Sequence, residues 1–70
     1  MMLMVPVISS NLSSVGYDPI SQTLRIQFHS GLYDYFNVPA TVHFNLMNAP
    51  SKGEYHAAYI KNVYTFKKLI

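Results

Sequence analysis

The chain has 70 residues, half of them apolar, with a net charge of +2 and no cysteine. A domain this small hides only about 60% of its unfolded surface, and without a thiol it has neither a disulfide nor a thiolate metal site to brace it. Stability must come from packing or from pairing with a second copy. The apolar content argues against disorder, and the missing cysteines fit a reducing, cytoplasmic setting.

Residues 1–8, MMLMVPVI, are apolar. They are too short to span a membrane and lack the basic opening of a signal peptide, so no membrane partner is expected. They read as a lead-in to a short strand over residues 6–11, where Pro6 is tolerated at the start. Residues 13–18 alternate, with Val15 and Tyr17 against Ser14 and Gly16. Asp18-Pro19-Ile20-Ser21-Gln22 is turn chemistry. Residues 23–29 alternate again, Leu24, Ile26 and Phe28 against Arg25 and Gln27. Ser30-Gly31 is a tight-turn pair, and residues 32–38 are the next strand.

Pro39 opens a helix, where its missing N–H costs nothing. Val42, Leu46 and Ala49 form its apolar face, with Phe44 and Met47 beside it, and Pro50 ends it. Ser51 and Glu54 make a capping box for a second helix. Tyr55, Ala58 and Tyr59 are its apolar face, and Lys61-Asn62 is its exit. Residues 63–70, rich in β-branched and aromatic side chains, read as a last strand. The whole is α+β: a small antiparallel sheet of three to five strands with a two-helix hairpin on one face, in the order strands, helix, helix, strand.

The hairpins set the register. A four-residue loop at positions 19–22 puts Tyr17 opposite Leu24 and Val15 opposite Ile26. A two-residue loop at Ser30-Gly31 puts Phe28 opposite Tyr33, Ile26 opposite Tyr35 and Arg25 opposite Phe36. Opposed residues share a face, so Val15, Tyr17, Leu24, Ile26, Tyr33 and Tyr35, with Phe28, underlie the helices. The other face carries Ser14, Gly16, Gln27 and Asp34, with Arg25 and Phe36 as its distinctive pair. That pair is read either as a stacking site for a base or a partner side chain, or as a cation–π cover or a patch beneath the N-terminal segment. A one-residue slip would exchange the faces.

Basic charge gathers late. Residues 1–51 sum to −1, while residues 52–70 carry Lys52, Lys61, Lys67 and Lys68 against Glu54, for +3. This suits an anionic partner, or simply a solvated face. Arg25, Phe36, Lys52, Lys61, Lys67 and Lys68 are therefore the candidate nucleic-acid or partner-binding residues. Ser51-Lys52-Gly53 adds a weak anion seat at a helix start. His29, His43 and His56 have no metal-ligand spacing, no nucleophile motif surrounds a serine, and so short a chain has little room for a pocket. No cofactor, no metal and no catalysis are expected.

An ordered series then stands out: Ser9-Ser10-Asn11, Val15-Gly16-Tyr17-Asp18, Leu24, Phe28, Gly31, Tyr33-x-Tyr35, Val38-Pro39, Ala49-Pro50-Ser51-x-Gly53-x-Tyr55, Ile60 and Tyr64. It covers nearly all the chain and resembles the KTSC domain, a small domain found alone in bacterial and phage proteins and at the C-terminus of some lysyl-tRNA synthetases. The resemblance implies one KTSC-like domain over residues 1–70. It departs at His56 and Ala57, where that family usually has an aromatic residue and an asparagine. RNA binding is the activity it suggests. The alternative is a protein-interaction module, a phage or prophage inhibitor of a host protein that works as a homodimer.

Overall fold

The computed structural model describes residues 2–70; Met1, the first residue of the apolar lead-in, lies outside the described residues. The strands are β1 (Val5–Pro6), β2 (Leu12–Asp18), β3 (Thr23–Phe28), β4 (Gly31–Tyr35) and β5 (Phe66–Lys68). Helices α1 (Ala40–Asn48) and α2 (Lys52–Tyr59) separate β4 from β5. The sheet is antiparallel with its strands in chain order. The expected α+β architecture is therefore present, with all five strands in one sheet. The outer strands are shorter than the sequence suggested. β1 meets the expected span 6–11 only at Pro6, and β5 occupies three of the eight positions from 63 to 70.

The β2–β3 hairpin has the expected register, Tyr17 opposite Leu24 and Val15 opposite Ile26. Its turn is held where Asp18 Oδ1 accepts from the Ile20 N–H at 3.0 Å, and Gln22 closes it with a φ of 56°. The β3–β4 hairpin is displaced by two residues. Phe28 faces Gly31, Ile26 faces Tyr33, Leu24 faces Tyr35, and Arg25 faces Asp34 instead of Phe36. The turn is His29-Ser30. Gly31 is not needed for a left-handed corner, since no glycine among the described residues has positive φ. A Cβ on Gly31 would stand 2.8 Å from the Ile70 carbonyl oxygen. The glycine permits close approach of the last segment and leaves the turn to its neighbours. A two-residue shift preserves side-chain parity, so the faces stay as expected.

The core lies between the sheet and the helices. The sheet supplies Leu12, Val15, Leu24, Ile26 and Tyr35; Val38, Leu46 and Ile60 close it from above. Burying each such aliphatic side chain is worth about 1.5–3 kcal/mol. Leu12 joins this face because of a bulge. Leu12 pairs with Phe28 and Ser14 with Gln27, leaving Ser13 as the extra residue. Without it, Leu12 would share the side of Ser14 and Gly16.

Helix α1 starts after Pro39 and buries Leu46, with Val42 and Met47 packed at the margin. Phe44 is exposed. Helix α2 has Ser51 at its N-cap, whose Oγ accepts from the Glu54 N–H at 3.3 Å. Its expected apolar face is rotated in the structure. Tyr55 packs on the core, but Ala58 and Tyr59 are exposed, while Ile60 at the C-cap is fully buried. Asn62, with a φ of 65°, turns the chain out of the helix. Among the described residues no helix is long and apolar enough to cross a membrane.

On the second sheet face, Gly16 is buried beneath the N-terminal segment. A Cβ there would lie 2.6 Å from Met4 Sδ and 2.9 Å from Met2 Cγ. Arg25 is engaged by Asp34, Nε to Oδ1 at 2.7 Å and Nη2 to Oδ2 at 2.9 Å. The expected Arg25–Phe36 frame does not form. Phe36 falls just beyond β4, half-buried, with its N–H donating to the Thr65 carbonyl at 3.0 Å.

Candidate nucleic-acid interface

The open concavity lies between α2 and the β3–β4–β5 end of the sheet, and encloses about 420 Å³. Its floor is aromatic. Phe28, Tyr33, Tyr35 and Phe66 come from three adjacent strands on the core-facing side. Strand alternation explains the set. Tyr33 and Tyr35 are two residues apart, and Phe66 and Lys68 stand directly opposite them on β5. Tyr33 and Tyr35 stack with ring centres 6.4 Å apart, and Phe66 sits 5.8 Å from each. Phe28 meets Tyr33 edge-on at 5.5 Å. Such rings offer apolar faces and polarised edges to a flat ligand.

Helix α2 forms the opposite wall through Gly53, His56 and Ala57, at i, i+3 and i+4. His56 is the polar centre of the groove. Its Nε2 and the Tyr35 hydroxyl share a hydrogen bond of 2.8 Å, and its ring packs against Phe28 at 4.8 Å. Burial, and then the Lys61 charge, pushes the His56 imidazole below its ordinary pKa. Burial, and then Tyr33, pushes the Tyr35 hydroxyl up to about 12. The pair is thus neutral near pH 7. The two positions at which the sequence departs from the resembled pattern, His56 and Ala57, both line this groove.

The rim is built from loops. Ser9 Oγ accepts from the N–H groups of Asn11 and Leu12 at 3.2 and 3.3 Å. The Asn11 carbonyl accepts from the His29 N–H at 3.0 Å. Its side-chain amide rests against Gly53, where a Cβ would be 2.9 Å from Nδ2. Asn62 and Ser30 complete the edge. A smaller depression of about 260 Å³ adjoins it, sharing Asn11, Phe28 and Ser30 and reaching His29.

The candidate residues named from sequence do not form one surface. Lys61 lines the groove, and Lys68 Nζ stands 5.8 Å from the Tyr33 ring centre. Lys67 is opposite Asp34, on the other side of the sheet. Lys52 turns back to donate to the Ala49 carbonyl at 3.1 Å. Arg25 is paired with Asp34, and Phe36 is outside the groove. Of the other histidines, His29 is in the β3–β4 turn, and His43 stacks on Tyr17 at 4.7 Å.

Sequence reasoning placed Phe28, Tyr33 and Tyr35 on the correct face but saw only packing there. It missed Phe66, His56, Asn11 and Asn62. The alternation of Tyr64, Phe66 and Lys68 was the available signal for β5. Nothing local announces that a histidine on α2 will meet a tyrosine hydroxyl on β4.

Comparison with known proteins gives a consistent result. The chain is 41% identical to a KTSC domain protein from Yersinia pestis whose crystal structure superposes with a TM-score of 0.97, covering 100% of both chains. It is 44% identical over 61 residues to a lysine–tRNA ligase of a Nostoc species, a match spanning 86% of this chain but only 11% of the ligase. A protein of Tsukamurella paurometabola is 39% identical over 83% of this chain and 88% of its own length. The sequence profile of the KTSC domain matches residues 8–64, and the chain belongs to the KTSC domain family.

Proposed function

We propose that this chain is a non-catalytic RNA-binding module and that the aromatic groove is its contact surface. The observation that carries the reading is the set of three rings, Phe28, Tyr33 and Phe66, that line the open groove beside Lys61 and Lys68, with the buried Tyr35 packed against Tyr33 and Phe66. Aromatic platforms flanked by cations are how single bases and their phosphates are held, with stacking worth about 1–3 kcal/mol per base. Phe66 is 56% exposed, so a ring face is available to a ligand. The lysine–tRNA ligases that share this segment act on tRNA, which gives the reading its biological setting. A fluorescence titration of labelled RNA at about 50 and 200 mM salt tests it, since phosphate contacts weaken as salt rises. Binding at low salt that Phe66→Ala reduces supports the reading; no binding at low salt overturns it.

A second reading is a protein-interaction module, with a host protein or another copy as partner. It is favoured by exposed Leu3, Val5 and Ile8 along the β1 edge, because an uncovered apolar edge strand invites strand pairing. Light scattering that gives a monomer at high concentration removes the homodimer from this reading.

A further inference from the structure

The groove's shape and charges say more about its ligand than that it is RNA. We infer, resting on that reading, that the ligand is single-stranded and that two consecutive nucleotides lie along the groove, one in the main concavity and one toward the depression that adjoins it.

The first argument is access. The ring floor sits between a helix and a sheet, and the main concavity of about 420 Å³ is at the small end of the about 300–1,000 Å³ typical of ligand pockets. That is room for one nucleoside. A base pair does not fit, and an A-form duplex keeps its base faces stacked inside and its readable groove shallow. Only an unpaired base can put its face against Tyr33 and Phe66.

The second argument is continuity. The adjoining depression shares Asn11, Phe28 and Ser30 with the main one and leads to His29. The two depressions therefore form one track, with Asn11, Phe28 and Ser30 as their shared lining. A ligand occupying both must follow the track along the groove, as a flexible single strand does and a stiff duplex does not. The Asn11 amide, held against Gly53, stands at the junction and offers a donor and an acceptor to either nucleotide.

The third argument is charge. Two of the four lysines serve this track, Lys61 at the exit of α2 and Lys68 on β5. Lys67 faces the opposite side, and Lys52 is bonded back to Ala49. The carboxylates are elsewhere. Asp34 is paired with Arg25 behind the sheet, Asp18 holds the β2–β3 turn, and Glu54 is exposed in the first turn of α2. Two cations match the two phosphates of a short stretch. Each phosphate neutralised on a single strand contributes about 0.7 to the salt slope, so log K against log salt has a slope of about −1.4.

The test uses the full chain and one fluorescent ten-nucleotide RNA of mixed sequence, offered single-stranded and annealed to its complement, with unlabelled mono- and dinucleotides as competitors. The expected result is at least ten-fold preference for the single strand, stronger competition by the dinucleotide than by the mononucleotide, and a slope near −1.4. Ala57→Trp supplies a second handle. Ala57 is exposed on α2 and lines the groove, so a large side chain fills the track without opening the core. Its circular dichroism should match the parent while affinity falls at least ten-fold. Equal or tighter binding of the duplex, or a slope steeper than about −2.5, overturns the single-strand inference alone, whereas full affinity in a folded Ala57→Trp variant overturns the groove as the contact surface and the inference with it. Absence of binding to either form overturns the RNA reading with it.

Discussion

The Tyr35 hydroxyl and His56 Nε2, 2.8 Å apart, join the floor of the sheet to the helix above it. Tyr35 is 4% exposed, and its partner lies 21 residues further along the chain. One neutral hydrogen bond thus fixes α2 over β4 and defines the depth of the groove. Tyr35→Phe keeps the ring and deletes the bond. It should cost about 0.5–1.5 kcal/mol, which a thermal melt reads as a fall of roughly 4–8 °C per kcal/mol in a domain of this size.

The same histidine makes stability depend on pH. Burial, then Lys61, holds His56 below its ordinary pKa, and burial alone does the same for His43. The unfolded chain then binds more protons than the folded one once the pH falls below the unfolded value of about 6.5. Stability from both groups is fully present above that value and is lost as pH falls through the folded pKa values. Urea unfolding should give the same midpoint at about pH 7.5 and 8.5 and a lower one at about pH 5. His56→Gln should flatten part of that decline.

Arg25 and Asp34 form a two-pronged bond behind the sheet, with Asp34 only 7% exposed. Arg25→Ala strands that carboxylate and should destabilise by about 2 kcal/mol. This is less than the about 3–5 kcal/mol of a fully buried pair, because a third of the Arg25 side chain meets water. The double variant with Asp34→Ala should lose less than the sum of the single losses, by about 1 kcal/mol in a denaturation cycle.

Gly31 is constrained by backbone, which cannot move aside as a side chain can. Leu32 and the last residues exchange two bonds, Leu69 N–H to the Leu32 carbonyl at 2.7 Å and Leu32 N–H to the Ile70 carbonyl at 3.4 Å. Gly31→Ala should force this segment away. The Leu69 amide should then exchange with solvent much faster, by NMR, while the Ile26 amide in β3 keeps its protection.

Lys67 and Lys68 are neighbours in sequence and opposites in space. Lys68→Ala should weaken RNA binding and lower the salt slope by about 0.7. Lys67→Ala, behind the sheet, should change neither by more than a small fraction. A titration of both variants at two salt concentrations makes the comparison.

Alternation made the sheet legible. Val15, Leu24, Ile26 and Tyr35 fell on the buried face although the second hairpin was misregistered, because a two-residue slip restores every side chain to its side. What stayed hidden was set by distant contacts. Gly31 resembles a turn glycine, yet it is the Ile70 carbonyl that requires it, and Leu12 reaches the buried face only through the Ser13 bulge, which alternation does not announce. On α2, hydropathy favoured Tyr59 over His56. The histidine goes inward because the Tyr35 hydroxyl meets it, and no window of neighbouring residues contains that pairing. Strand parity also separates Lys67 from Lys68, a distinction that grouping the lysines as one basic segment passes over.

Strand β5 is three residues long, lies at the sheet edge, and arrives after both helices. The hairpins β2–β3 and β3–β4 close short loops; β4–β5 must span the whole helical pair. Loop closure across that distance is slow and entropically dear. Phe66, which lines the groove, and Lys68 beside it should therefore assemble late and fray early, which amide exchange faster in β5 than in β3 would read. A ligand bridging β5 to α2 would act as a clasp. RNA binding should slow unfolding more than it speeds folding, because the contacts it reinforces are absent when the barrier is crossed.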